Sequence, residues 1–138
     1  MLSWLLPEEL SDKAHAIRNQ WKDAQEELVA PMLLRVEVSS VLRNAAYRGR
    51  LTKEEADEAF EAFQEMPIKL HEPEDLMRRA WRLGLIVNAS KLYDLYYLAL
   101  AEAIQSPLWT ADLRFLRLIA NRSSLINWLG DWSSEASQ

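Results

Sequence analysis

Three acidic residues, Glu37, Asp94 and Asp112, stand where solvation alone does not call for a carboxylate. Glu37 falls three residues after Leu34 and four before Val41, so helical spacing sets it beside an apolar stripe. Asp94 is the one acid at the head of Leu95-Tyr96-Tyr97-Leu98-Ala99-Leu100-Ala101, facing the positive end of the helix dipole. Asp112 lies two residues beyond Thr110, between a strand and a helix, where open α/β sheets place their ligand sites. Each has a plain structural alternative: an ion pair with Arg35 or Arg43 for Glu37, helix-dipole stabilisation for Asp94, an N-cap for Asp112. Gathered at one edge of a parallel sheet, three carboxylates repel one another and persist only with raised pKa values or a bound cation. Oxygen-only ligation suits Mg2+ or Mn2+, and the matching chemistry is metal-assisted attack of water on a phosphodiester. Thr110 is the polar neighbour of such a site. Lys91, Arg114 and Arg117 flank Asp94 and Asp112 and could neutralise a phosphate backbone, although solvated helix faces account for them equally well.

The rest of the reactive inventory is thin. With no cysteine, a thiolate metal site, a disulfide framework and a Cys nucleophile are excluded together. His15 and His71 lack metal-ligand spacing, and the glycine-rich signatures of nucleotide-binding loops and of the serine nucleophile elbow do not occur.

The elements that must position these acids alternate along the chain. An amphipathic helix is predicted over residues 11–27, followed by a short buried strand at 27–30 that stops at Pro31. A helix over 31–48 follows, with Leu34, Val38, Val41, Leu42 and Ala45 as its apolar stripe and Gly49 as its left-handed cap. Thr52-Lys53-Glu54-Glu55 reads as a capping box opening a helix over 53–64, with Ala56, Ala59, Phe60 and Phe63 inward. A strand at 67–70 leads to a helix begun near Pro73 and stopped at Gly84. Residues 93–104, apolar nearly all round, predict a buried helix. A strand at 107–110, a helix over 113–120 and a last strand at 125–129 complete the alternation. The pattern defines an α/β domain with a mostly parallel sheet over 1–132 and a frayed polar tail at 133–138. Trp21, Trp81 and Trp109 fall in these elements as core or interface candidates.

Composition sets the outer bounds. The 138 residues are 49% hydrophobic and 27% charged, with three Gly and five Pro, which fits one folded domain and excludes fibrous or disordered classes. A net charge of −5 leaves any nucleic-acid contact to be local or metal-assisted. No apolar run approaches the roughly 20 residues of a membrane span, and the amino terminus lacks the pattern of a targeting peptide, so the cytoplasm is expected.

Taken in order, Trp4-Leu5-Leu6-Pro7-Glu8-Glu9, Leu28-Val29-Ala30-Pro31 leading to Val36-Glu37-Val38, the stretch from Tyr93 to Glu102, Leu108-Trp109-Thr110-Ala111-Asp112 and Trp128-Leu129-Gly130-Asp131 resemble the PIN-domain family, specifically the VapC-type toxins of toxin–antitoxin pairs. The resemblance implies a three-layer α/β/α sandwich and a Mg2+-dependent endoribonuclease restrained by a cognate antitoxin, commonly as a homodimer. It makes Glu37, Asp94 and Asp112 three of four acidic metal-site residues. The fourth belongs to an amino-terminal central strand preceding the position of Trp4, where this sequence reads Met1-Leu2-Ser3. Three readings follow: a nuclease working with the three acids, an inactive PIN-like module that binds an antitoxin or partner without cleaving RNA, and an unrelated helical adaptor whose carboxylates are scattered.

Overall fold

The computed structural model describes Asn19 and residues 27–110, 112–119 and 122–128. The predicted helix over 11–27 and the polar tail lie outside the described residues. Within them the order is β1 (Leu28–Ala30), α1 (Leu33–Tyr47), α2 (Lys53–Gln64), β2 (Ile68–Leu70), α3 (Leu76–Val87), α4 (Tyr93–Ile104), β3 (Leu108–Thr110), α5 (Leu113–Ile119) and β4 (Ile126–Trp128). This is the α/β alternation that the sequence predicts.

Local chemistry accounts for most boundaries. Pro31 cannot donate to a ladder, so β1 ends before it and α1 begins two residues later. At the other end of α1, Gly49 takes φ +75°, a conformation that side chains with a β-carbon avoid. The capping box forms as expected: the Glu55 amide donates to the Thr52 hydroxyl, and the Thr52 amide donates to the Glu55 carboxylate, each at 3.0 Å. Hydrogen bonding from the Thr52 amide, and then from its side chain, lowers the pKa of the Glu55 carboxyl.

Two expectations about α2 and α3 are corrected. Phe60 is exposed at the rim, while Ala56 is buried and Phe63 half-buried, because the inward stripe of α2 is narrower than its apolar composition suggests. Gly84 does not stop α3. The helix runs through it to Val87, and Asn88 takes the left-handed cap at φ 54°. Gly84 serves packing instead, since a β-carbon there would collide with the Leu92 side chain just ahead of α4.

All described strand pairing is parallel. β1 pairs with β2, Leu28 opposite Ile68, and β3 pairs with β4, Leu108 opposite Ile126. Among the described residues these are two separate two-stranded ladders rather than one continuous sheet. Sequence patterning finds strands but not their partners, because pairing is a non-local property. An apolar cavity of about 190 Å³ lies between the ladders, lined by Leu28 to Ala30 on one side, Pro107 to Trp109 on the other, and Tyr97, Leu100, Ala101 and Ile104 of α4.

The core is divided in the same way. Leu76, Ala80, Leu95, Leu98, Ala99, Leu100, Phe115, Ile119 and Ile126 form one cluster around α3, α4 and α5. Ala30, Leu34, Val38 and Leu42 form a second beneath α1, joined by Phe63, Ile68, Leu70 and Tyr97. Helix α4 is common to both, which explains why its sequence is apolar on nearly every side.

Candidate active site

Within each parallel pair the strands deliver their carboxyl ends to the same edge, and the acidic residues follow from that. β1 leads into α1, whose second turn carries Glu37. β3 leads through Thr110 to Asp112 and α5. Helix α4 brings Asp94 in its first turn and Tyr97 one turn later, three residues apart and so on one face.

Glu37 does not pair with Arg35 or Arg43; it is half-buried and its Oε1 accepts a 2.5 Å hydrogen bond from the Tyr97 hydroxyl. Burial is the main cause that drives the Tyr97 phenol far above its ordinary ionisation range, with the Glu37 hydrogen bond and the Glu37 and Asp94 charges adding to it. Tyr97 therefore remains a proton donor to Glu37 throughout the working pH range. The second Glu37 oxygen has no hydrogen-bond donor among the described residues. Sequence reading took Tyr97 for core; its three-residue spacing from Asp94 was the available signal.

Asp94 is accessible as a residue, yet the surrounding protein desolvates its carboxylate. That burial, followed by the negative charge of Asp112, raises its pKa above the ordinary value of 3.8. No described residue donates a side-chain hydrogen bond to it or forms an ion pair with it. Burial and the Asp112 charge act against the stabilisation that a helix N-terminus gives an anion.

Asp112 does cap α5. Its Oδ1 accepts from the Arg114 amide at 2.9 Å and the Phe115 amide at 3.2 Å, while its own amide donates to the Thr110 hydroxyl at 3.0 Å. The capping and the charge on Asp94 are compatible, because capping uses one carboxylate oxygen only. Thr110 thus fixes the backbone on which Asp112 is mounted. Lys91, Arg114 and Arg117 are exposed around this edge and form no ion pair among the described residues.

The side chains are linked in series: Glu37 to Tyr97, Tyr97 to Asp94 by charge, Asp94 to Asp112 by charge. Among the described residues, no three His, Cys, Asp or Glu side chains converge closely enough to hold a metal ion. Glu37 is engaged by the Tyr97 hydroxyl, while Asp94 and Asp112 are coupled by charge. The donor set nevertheless suits a hard cation: Mg2+ is commonly held by one or two carboxylates plus water, and the charge of Asp112 acts on the Asp94 carboxylate.

The PIN domain family model matches residues 1–120. A VapC ribonuclease of Mycobacterium bovis and the ribonuclease VapC9 of Mycobacterium tuberculosis are each 35% identical to this chain over 91 residues, covering 66% of it and 69% of each relative. The chain belongs to the PIN-domain family, and these relatives place it in the VapC-type branch.

Proposed function

We propose that this protein is a Mg2+- or Mn2+-dependent endoribonuclease, the toxin of a toxin–antitoxin pair. The observation that carries the reading is Asp94, a desolvated carboxylate without a described donor, raised in pKa and set against the charge of Asp112. Its VapC ribonuclease relatives support the substrate class. Asp94 and Asp112 are the residues that would hold the cation, with Glu37 as the third acid alongside. A bound divalent cation supplies positive charge against the scissile phosphate and acidifies water. Tyr97 keeps Glu37 oriented by donating to Oε1 and leaves Oε2 to accept a proton or a water. Thr110 and the α5 amides keep Asp112 in place. Lys91, Arg114 and Arg117 would steer single-stranded RNA by phosphate contacts, as a chain of net charge −5 needs local cations for that task. An antitoxin as inhibitor, a homodimer and a cytoplasmic setting complete the proposal, and no described helix is long and apolar enough to cross a membrane.

A second reading is a PIN-like module that binds an antitoxin or partner without cleaving RNA, since no three acids converge among the described residues. Cleavage of a fluorescent single-stranded RNA, with Mg2+ or Mn2+ against excess chelator, separates the two. Metal-dependent cleavage abolished by Asp94→Asn supports the nuclease; a folded chain that neither cleaves nor binds Mn2+ at millimolar concentration supports the module.

A further inference from the structure

Helix α1 is basic and uncovered on the side away from its core. Four arginines fall between Leu33 and Leu51 against one acid, Glu37, whose carboxylate is turned to Tyr97. On the exposed side, Ser39, Ser40, Arg43, Asn44 and Tyr47 line an open depression of about 470 Å³. Tyr47 is 78% exposed, and the Arg43 guanidinium stands 5.8 Å from its ring centroid. That cation–π contact covers one face of the ring, and exposure leaves the other to solvent. Arg50 donates to Asn44 Oδ1 at 3.2 Å, which sets a second guanidinium at the rim and leaves the Asn44 amide N–H groups to donate elsewhere. The neighbouring helix α2 carries five acids, but what it sets beside Arg35 and Ser39 is Phe60, Phe63 and Gln64. Glu55 is engaged by Thr52 and Glu61 by Gln64, and among the described residues no acid of α2 pairs with an arginine of α1. These acids repel phosphate and confine an anionic ligand to the α1 side.

We propose that this face of α1 is a second contact for the single-stranded RNA, separate from the acidic edge, with one base stacked on the open face of Tyr47 and neighbouring phosphates on Arg43 and Arg50. The proposal rests on the reading of RNA as substrate and extends it to residues that the acidic edge does not include. Glu37, Ser40, Asn44 and Tyr47 follow at spacings of three, four and three, so one stripe of the helix leads from the candidate site to the depression, about 15 Å along the axis. An RNA strand laid along that stripe reaches Tyr47 a few nucleotides from the acids. The lining selects nucleic acid. Guanidinium, amide, hydroxyl and phenol groups wall the depression, and Val36, the aliphatic side chain exposed on this face, lies outside it. A nucleotide uses each group: the ring face for its base, the guanidinium for its phosphate, the amide and hydroxyls for its ribose and base edge. An acidic peptide would take the arginines and leave the Tyr47 ring without a stacking partner.

The test measures binding without cleavage: in excess chelator, the full chain is titrated into a fluorescein-labelled single-stranded RNA of about 12 nucleotides and followed by anisotropy. Tyr47→Ala should weaken binding about tenfold, while Tyr47→Trp, which keeps a stacking face, should retain it. An abasic strand of the same length should bind the parent and Tyr47→Ala alike, an equality that misfolding of the variant would break. Arg43→Gln should weaken binding and reduce the slope of log K against log salt by about 0.7. RNA that binds Tyr47→Ala and Arg43→Gln as tightly as the parent overturns the proposal and leaves the RNA reading standing. A parent chain without saturable RNA binding overturns both. A labelled oligoglutamate that binds the parent as tightly as the RNA, and loses as much affinity on Tyr47→Ala, overturns the proposal by giving the face to an acidic protein. Tyr47-dependent binding that is not followed by cleavage when Mg2+ is supplied upholds the contact and removes the nuclease.

Discussion

Replacing Tyr97 by Phe removes one oxygen atom and, with it, the donor that holds Glu37. A hydrogen bond to a charged group contributes about 1.5–3 kcal/mol. Glu37 is half-buried, so water restores part of the loss, and the lower end, about 1.5 kcal/mol, is expected. For a chain of this size that corresponds to a fall in Tm of roughly 6 °C. Packing changes are small because the ring remains in the cluster with Leu34 and Val38. A double-mutant cycle isolates the bond: Tyr97→Phe, Glu37→Ala and the pair together, each unfolded in urea and followed by circular dichroism. The coupling energy should be about 1 kcal/mol or more, since the two residues touch. A coupling below about 0.3 kcal/mol, with both single variants folded, refutes the claim that Tyr97 positions Glu37 and reduces Tyr97 to a core side chain.

Three further outcomes are expected. Asp94→Asn should stabilise the protein at neutral pH: the folded pKa is raised, so the folded state binds more protons than the unfolded one above pH 3.8, and the ionised Asp94 weakens the fold as pH rises through that raised value. Urea midpoints of parent and variant should therefore diverge as pH rises from about 4 to 7 and converge below, and a variant less stable at pH 7 would contradict this. Asp112→Ala should cost about 1 kcal/mol through the lost α5 cap, while Asp112→Asn, which keeps an acceptor, should cost less and still lower the Asp94 pKa when followed by carboxylate NMR. Gly49→Ala meets open space but must hold φ +75°, so a loss of about 1 kcal/mol is expected in thermal melts, with strain rather than collision as its cause.

Local chemistry was legible in the sequence. Pro31, the Thr52 to Glu55 box and the left-handed Gly49 are each decided by neighbours a few residues away and are found as read, and the N-cap that was the plain alternative for Asp112 is present. Properties set by distant partners were not. Gly84 looks like a helix stop from its type alone, and only the approach of Leu92 reveals that its use is close packing. Trp81 and Phe60 sit at spacings that suit a core, yet among the described residues the neighbouring helices leave them exposed. Division of the strands into two parallel pairs depends on contacts across more than 15 residues of sequence, which periodicity does not carry. At the candidate site, the acids stood out by charge among apolar residues, whereas the tyrosine that orders one of them was camouflaged by that same apolar run.

Helix α4 raises a question of rotation. A helix apolar nearly all round can turn about its axis and still present hydrocarbon to both clusters it serves, so burial by itself selects its angle weakly. One residue of slip turns it by about 100°, enough to carry Tyr97 away from Glu37 and to re-aim Asp94. The hydroxyl-to-carboxylate contact therefore acts as an index mark between the two halves of the protein. A variant without it can keep its helical content and its compactness while losing the single azimuth at which Tyr97 meets Glu37 and Asp94 feels the charge of Asp112.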